Sequence, residues 1–140
     1  MILLDTNVIS EPLKLAGDPA VLAWIDAQSI ETLYLATISL AELRFGVASL
    51  PAGKRKDSLH TSLEQRVLPL FADRILSFDA AASAAYAEIR ARARAEGNAI
   101  AAADGYIAAT AAANGLLVAT RDTAPFEAAG LTVINPWSHP

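Results

Sequence analysis

The fold class is decided by the first seven residues, Met1-Ile2-Leu3-Leu4-Asp5-Thr6-Asn7. An apolar run that stops at small polar side chains is typical of a buried strand in an α/β sheet. The carboxyl ends of such strands are where sites form, so we expect Asp5 to lie at a site on the sheet edge. In the alternative interpretation, Asp5 or Thr6 only caps a following helix, which short polar side chains do well.

Strand-like and helix-like stretches alternate along the rest of the chain. Further strands are predicted at 32–37, 116–120 and 131–134, and residues 74–78 are either a strand or an extended link. Helices are predicted at 20–28, 39–50, 54–70, 80–96 and 99–113, with a short turn or helix at 126–129. This order predicts an α/β fold with a small, mostly parallel sheet flanked by helices. We see no repeat and no linker, so we expect one domain over residues 1–140.

The composition narrows the class of protein. Of the 140 residues, 54% are hydrophobic and 19% are charged, which predicts a compact fold. The absence of cysteine excludes disulfides and thiolate metal sites and fits a reducing compartment. A signal peptide requires a basic segment before its apolar run, and no such segment precedes the first apolar run here. The longest uncharged run, 105–120, is too short to span a membrane. We expect a cytoplasmic protein without membrane association.

The net charge of −4 argues against a nucleic-acid binder, but the charges are unevenly distributed. Between Arg44 and Arg94, nine Lys and Arg stand against five Asp and Glu, whereas the rest of the chain has two against ten. A basic middle could guide a polyanion towards an acidic, metal-loaded centre. The simpler interpretation is ordinary charge scatter over solvated helix faces.

Four carboxylates require an explanation. Asp104 is the only charged side chain between Gly97 and Thr120. We expect a helix this apolar to be buried nearly all round, so that the carboxylate must pair, protonate or bind a cation. In the alternative interpretation, Asp104 is a partly exposed aspartate at the mouth of a helix. Asp122 follows the strand at 116–120, so it shares an edge with Asp5 if the two strands are parallel. Glu42, near the start of its helix, can join them.

Clustered carboxylates repel one another unless cations neutralise them. Oxygen ligands without Cys or usable His favour Mg²⁺ or Mn²⁺ over Zn²⁺. We predict that His60, on a polar helix, and His139, in the C-terminal tail, are exposed and are not ligands. Such a cluster suits hydrolysis of phosphodiesters, because a bound metal activates water and stabilises charge on the phosphate.

Five blocks of the chain resemble PIN-domain proteins. They are Leu4-Asp5-Thr6-Asn7, Ile38-Ser39-Leu40-Ala41-Glu42-Leu43-Arg44-Phe45-Gly46, Asp104-Gly105-Tyr106-Ile107-Ala108-Ala109-Thr110-Ala111, Ala119-Thr120-Arg121-Asp122-Thr123 and Ile134-Asn135-Pro136-Trp137. Within the family, the chain looks like the VapC toxins of type II toxin–antitoxin modules, especially the FitB-like branch. Each block alone is weak, but together they cover essentially the whole chain in the expected order and are highly specific.

The resemblance implies a single PIN domain with an acidic pocket. Asp5 and Asp104 would be direct Mg²⁺ ligands, with Mn²⁺ as a substitute. The four catalytic and metal-binding positions would be Asp5, Glu42, Asp104 and Asp122, and the pocket would be lined by Thr6, Asn7 and Thr120. One departure concerns the fourth acid. Many relatives carry an Asp before the Phe that aligns with Phe126, and this chain has Pro125 there, which leaves that role to Asp122 alone.

The resemblance also implies an activity and partners. Members typically act as Mg²⁺-dependent endoribonucleases, form homodimers and are blocked by a cognate VapB- or FitA-like antitoxin. That antitoxin occupies the active-site groove, usually binds DNA and can build a larger hetero-oligomer. In the alternative interpretation, the chain is a PIN module that binds RNA or a regulatory partner without efficient cleavage. A receiver-like or phosphatase-like acidic domain is disfavoured, because no second aspartate lies two residues after Asp5 and no suitably placed lysine is evident.

Overall fold

A parallel sheet lies at the centre of the computed structural model, which describes residues 1–138; the predicted exposure of His139 falls outside them. The strands are β1 (Ile2–Leu4), β2 (Leu33–Ala36), β3 (Ile75–Leu76), β4 (Leu117–Ala119) and β5 (Val133–Ile134). They are arranged in the order β3-β2-β1-β4-β5, and every neighbouring pair is parallel. The predicted α/β class with a mostly parallel sheet is therefore confirmed.

Seven α-helices connect the strands within residues 1–138. They are α1 (Thr6–Ile9), α2 (Pro19–Ala27), α3 (Thr37–Ala48), α4 (Lys54–Thr61), α5 (Ala80–Ala95), α6 (Ala102–Ala113) and α7 (Thr123–Ala128). Short 3₁₀ segments cover Glu11–Leu13, Ile30–Thr32 and Leu68–Phe71, and a π-helical segment covers Ser62–Val67. No helix in this part of the chain is long and apolar enough to cross a membrane.

The sheet is buried on both faces because helices cover both sides of it. Alternate side chains of a strand point to opposite sides, so β1 contributes to both cores. Ile2 and Leu4 of β1 belong to a core with α1, α2, α3 and Leu63–Phe71. Leu3 belongs to a second core, which it forms with α5, α6 and α7. This double burial explains why the strands are uninterrupted apolar runs.

The order of the strands reverses beside β1. From β1 the chain builds outward to β2 and β3, and then returns to the other side of β1 to form β4 and β5. Leu4 is paired with Ala119 in the β1–β4 register, so the two strands end at the same level. Ligand sites of open parallel sheets lie in the crevice outside such a reversal. Asp5 and Asp122 follow the two strands that form it.

Three of the predicted helices need correction. α3 begins at Thr37, two residues before the predicted start, because it follows β2 without a turn. α6 begins at Ala102, and the residues before it are extended or irregular. The helix predicted over 54–70 changes its winding after Thr61. Pro69 lacks an N–H and its ring clashes with the carbonyl four residues earlier, so regular α-helix cannot continue through it.

Specific residues define both ends of α5. Asp79 caps α5, since its side chain accepts a hydrogen bond from the backbone N–H of Ala82 at 2.9 Å. The helix ends before Gly97, whose φ of +79° is a conformation that glycine adopts readily. Trp24 of α2 is buried in the core that contains Ile2 and Leu4.

Candidate active site

Asp5 is both a helix cap and a member of the acidic cluster. It lies between β1 and α1, and its side chain is buried. Its Oδ1 accepts a hydrogen bond from the backbone N–H of Thr6 at 2.8 Å, which caps α1. Its Oδ2 accepts a hydrogen bond from the hydroxyl of Thr120 at 2.7 Å. Capping therefore occupies only one of the two oxygens, and the two interpretations of Asp5 are compatible.

The hydroxyl of Thr120 connects the ends of β1 and β4. It accepts hydrogen bonds from the side-chain amide of Asn7 at 3.4 Å and from the backbone N–H of Asp122 at 3.1 Å. Because both contacts are donated to Thr120, its single hydrogen points to Asp5. The amide oxygen of Asn7 accepts the backbone N–H of Arg121 at 3.3 Å. The predicted pocket-lining residues thus hold one another and Asp5 in place.

Glu42 reaches the same region from α3. Its side chain is exposed, and its Oε1 accepts a hydrogen bond from the hydroxyl of Thr6 at 2.9 Å. Thr6 therefore supports two acids at once, Asp5 through its backbone and Glu42 through its side chain. Ser39 lies one helical turn before Glu42 and is fully buried. The Ser39 hydroxyl has no hydrogen-bond partner among residues 1–138.

Asp104 lies in the first turn of α6 and is half-buried. The expectation of a helix buried nearly all round was wrong here, because Ala101, Ala102 and Ala103 are exposed and continuous burial begins at Ile107. The alternative, a partly exposed aspartate at the mouth of a helix, describes its setting. Asp122 is exposed at the start of α7, and its side chain makes no capping hydrogen bond.

The four acids interact electrostatically. Burial raises the pKa of Asp5, the negative charges of Asp104 and Glu42 raise it further, and the hydrogen bonds from Thr120 and Thr6 oppose this. Burial also raises the pKa of Asp104, with further contributions from the charges of Asp122 and Glu42. Asp104 and Glu42 are thus within electrostatic range of Asp5, and Asp122 and Glu42 are within range of Asp104. These charges make Asp5 and Asp104 harder to ionise, so a cation would relieve the repulsion.

The donor set suits a hard divalent cation, but it is open. No group of three or more Asp, Glu or His side chains within residues 1–138 is arranged to hold a metal ion. Mg²⁺ does not require such a group, because it commonly binds one or two carboxylates and keeps several waters. An all-oxygen set of carboxylates and hydroxyls matches that preference. His60 is exposed on α4, as predicted.

A cleft of about 690 Å³ opens beside Asp104, between the start of α6 and α7. Its charged lining residues are Glu96, Asp104 and Glu127, and it has no basic lining residue. Pro125, which stands where the family resemblance predicts an acid, is part of the cleft wall. This side of the candidate site is therefore acidic and repels phosphate groups.

The basic middle of the chain is largely used for internal contacts. Five of its nine cations donate side-chain hydrogen bonds within the chain: Arg44, Lys56, Arg74, Arg90 and Arg92. Arg44, for example, makes a bidentate ion pair with Glu64. For these five residues, a structural role accounts for the charge that the sequence showed as a cluster.

The sequence alone did not indicate an individual role for Arg121, Trp137 or Glu11. The guanidinium of Arg121 lies over the ring of Trp137, 5.2 Å from its centroid. Glu11 is only 3% exposed, and accepts hydrogen bonds from Lys14 at 2.6 Å and from the backbone of Asp18 at 2.9 Å. For Arg121, a role at the candidate site could have been predicted from its position in the sequence, between Thr120 and Asp122 at the end of β4.

Comparison with known proteins gives a consistent assignment. The PIN domain family model matches residues 2–131. The VapC ribonuclease Y4jK of Sinorhizobium fredii is 63% identical over 98% of this chain and 98% of its own length. The toxin FitB of Neisseria gonorrhoeae is 58% identical over 98% of this chain and 99% of its own length.

Solved structures agree with these relatives. A chain in the crystal structure of FitAcB from Neisseria gonorrhoeae is 57% identical, with a TM-score of 0.96 over 99% of this chain and all of that one. A chain in the structure of FitAB bound to the IR36 DNA fragment is 55% identical, with a TM-score of 0.97 over 100% of this chain and 98% of that one. The chain therefore belongs to the PIN-domain family, in the branch that contains the VapC and FitB toxins.

Proposed function

We propose that the protein is the toxin of a type II toxin–antitoxin module and a Mg²⁺-dependent endoribonuclease, for which Mn²⁺ can substitute. The observation that supports this most directly is the electrostatic setting of Asp5 and Asp104. Besides burial, the charges of Asp104 and Glu42 raise the pKa of Asp5, and the charges of Asp122 and Glu42 raise the pKa of Asp104. Acids whose pKa is raised in this way in a crevice are typical of a functional site, and a bound cation would offset the repulsion. The relative named a VapC ribonuclease supports RNA as the substrate.

The proposed roles follow from the contacts of each side chain. Asp5 and Asp104 bind the metal directly, and Glu42 and Asp122 contact the metal or hold the attacking water. A bound Mg²⁺ lowers the pKa of that water and stabilises charge on the phosphate. Thr120 and the backbone of Thr6 fix both oxygens of Asp5 before substrate binds. The Thr6 hydroxyl holds Glu42 against the start of α1.

We also propose a cognate antitoxin as the partner. The solved relatives are FitAcB and FitAB complexes, one of them bound to DNA. By that analogy the chain forms a homodimer that assembles with a DNA-binding VapB- or FitA-like protein into a larger complex in the cytoplasm. The antitoxin blocks the acidic pocket. The domain that carries these functions extends over residues 1–140.

A second candidate function is a PIN module that binds RNA or a regulatory partner and cleaves poorly. The open geometry favours it, since no three acids of residues 1–138 are arranged around one ion. Pro125 in place of an acid on the cleft wall points the same way. The two candidates differ in whether the purified chain hydrolyses RNA.

The test uses protein purified without antitoxin and a panel of labelled single-stranded RNAs. We expect cleavage with Mg²⁺ or Mn²⁺ and none with chelator. Asp5→Asn and Asp104→Asn should abolish cleavage while circular dichroism shows a folded chain. Asp26→Asn, an exposed acid on α2, is the matched control and should cleave normally. Normal cleavage by the two site variants would overturn the proposed site. No cleavage by the wild type would favour the binding module.

A further inference from the structure

The side chain of Arg121 lies against an aromatic ring, and its guanidinium donates no hydrogen bond within residues 1–138. The side chain is exposed and lies over Trp137. No hydrogen bond from the guanidinium is found within residues 1–138, whereas the guanidiniums of Arg44, Arg74 and Arg90 all donate to protein groups. An arginine presents five N–H donors in a planar fork that matches phosphate oxygens. Arg121 therefore retains the full capacity to bind an anion.

Two contacts hold Arg121 in place. Trp137 is half-buried and packs on the core that contains α1, so it forms a fixed support for the guanidinium. The backbone N–H of Arg121 donates to Asn7. The pKa of Glu11 is lowered, chiefly by the hydrogen bond from Lys14, and the positive charge of Arg121 contributes. Glu11 thus pairs directly with Lys14, whereas Arg121 influences it only through its charge.

The position of Arg121 relative to the acidic cluster is also defined. Three successive hydrogen bonds join its backbone to Asp5, through Asn7 and Thr120. On the side of Asp104, the cleft is lined by acids. A polyanion that places one phosphate at the acidic cluster meets repulsion on that side and attraction on the side of Arg121.

We propose that Arg121 binds a backbone phosphate of the RNA strand next to the scissile one, and that Trp137 is a positioning residue for it. This rests on the ribonuclease activity proposed above. The guanidinium lies on the indole, so its N–H edges remain free for phosphate oxygens and its outer face can stack on a base. That combination fits single-stranded RNA better than an acidic peptide, which offers no base to stack.

The first test separates binding from chemistry. Arg121→Ala should raise KM by about tenfold or more, as loss of a charge-assisted hydrogen bond does, with kcat unchanged because the four acids are intact. Arg121→Lys keeps the charge without the planar fork and should give an intermediate KM. Arg66→Ala removes an exposed arginine that makes no side-chain hydrogen bond within residues 1–138 and should match the wild type. An unchanged KM in Arg121→Ala would overturn the proposal.

The second test examines Trp137 and the charge of the contact. The salt dependence of RNA binding should fall by roughly 0.7 in log–log slope in Arg121→Ala, as expected for one phosphate contact on a single strand. Trp137→Leu should raise KM less than Arg121→Ala and should add little in the Arg121→Ala background, because both changes remove one interaction. Additive effects on KM would contradict the positioning role.

The third test separates this proposal from the proposed catalysis. Binding of labelled RNA is measured in Asp104→Asn, with and without Arg121→Ala, so that hydrolysis is not needed. Weaker binding in the double variant supports the contact even if the wild type cleaves no RNA. Equal RNA binding with loss of affinity only for a coexpressed antitoxin would assign Arg121 to the partner protein and overturn the proposal.

Discussion

The hydroxyl oxygen of Thr120 lies 2.7 Å from Oδ2 of Asp5, although 115 positions separate the two residues. The same oxygen accepts N–H groups from Asn7 and Asp122, so the direction of its hydrogen is determined. One fully buried hydroxyl therefore joins the ends of two neighbouring strands and orients an acid of the candidate site.

We expect Thr120→Val to damage both stability and activity. Valine keeps the shape but leaves Asp5 and two N–H donors without their partner, which should lower the free energy of unfolding by about 1–3 kcal/mol. Loss of such support for a metal-binding acid typically costs about 10- to 100-fold in activity or metal affinity. Urea unfolding and RNA cleavage measure the two effects. Thr120→Ser retains the hydroxyl and is the matched control. A Thr120→Val variant that equals Thr120→Ser would show that the hydrogen bond is dispensable.

Thr6→Val should affect activity without affecting stability. The change removes the hydroxyl that donates to Glu42, but the backbone N–H of residue 6 still donates to Asp5, which caps α1. Because Glu42 is exposed, we expect the free energy of unfolding to change by no more than about 0.5 kcal/mol. Cleavage should fall by about tenfold, towards the rate of Glu42→Gln, if Glu42 needs this orientation. Thr6→Ser is the control. Cleavage that falls in Glu42→Gln but not in Thr6→Val would contradict the positioning role of Thr6.

Asp104→Asn should stabilise the metal-free protein at neutral pH. The pKa of Asp104 is raised above its ordinary value of 3.8 by burial and by Asp122 and Glu42, so its ionised form opposes folding. Surface charge interactions contribute up to about 1 kcal/mol, which corresponds to a few degrees in Tm. Thermal unfolding in chelator measures the gain. Asp26→Asn, at an exposed position of α2, should leave Tm unchanged.

The pH dependence of that gain has a defined sign. Between the unfolded pKa and the raised folded pKa, the folded chain binds more protons than the unfolded chain. The contribution of Asp104 to stability therefore falls as pH rises through this window. The advantage of Asp104→Asn should be full above the window and absent below the unfolded value of about 3.8. A gain that is independent of pH would point to packing and not to charge.

Two glycine-to-alanine changes should have opposite signs. A Cβ at Gly105 would lie 3.0 Å from Cδ of Arg90 and 3.1 Å from the ring of Tyr86. Arg90 cannot easily move, because it donates to Ile100 and Tyr86. Gly105→Ala should therefore lower stability by about 1–3 kcal/mol.

Gly46 lies inside α3, where an added Cβ would meet no atom of residues 1–138 within 4 Å apart from the backbone of its own helix. Gly46→Ala should raise stability by about 0.5–1 kcal/mol, since alanine restricts the unfolded chain and favours helix. Urea unfolding of both variants decides. Stabilisation by Gly105→Ala would contradict the prediction, because it would show that α5 and α6 can move apart at no cost.

Much of the architecture follows from local pattern. Apolar runs and the alternation of strands and helices are local features of the sequence, and they predict a parallel sheet. Once β1 and β4 are taken as parallel, Asp5 and Asp122 must lie at the same edge. The winding of 54–71 was not predictable from its apolar stripe, since the stripe persists while Pro69 removes the regular hydrogen bond. The exposure of Asp104 depends on how far α6 projects past the sheet, which is a tertiary property.

The candidate site shows the same division. Residue type and order indicated which acids converge. The direction of the Thr120 hydrogen and the stacking of Arg121 on Trp137 could not be read from sequence, because each depends on side chains from two or three separate segments. The openness of the acid cluster depends on distances between four helix and strand ends, and no spacing in the chain encodes those distances.

The central place of β1 has a consequence for the order in which the protein matures. Its neighbour β2 ends at Ala36, but its other neighbour, β4, begins only at Leu117. During synthesis from the N-terminus, more than three quarters of the chain is therefore made after Asp5 before Thr120 is present to orient it. A ribosome-bound fragment that ends before α6 contains neither Asp104 nor Asp122. Translation of this chain thus reaches its last quarter before the acidic site is complete.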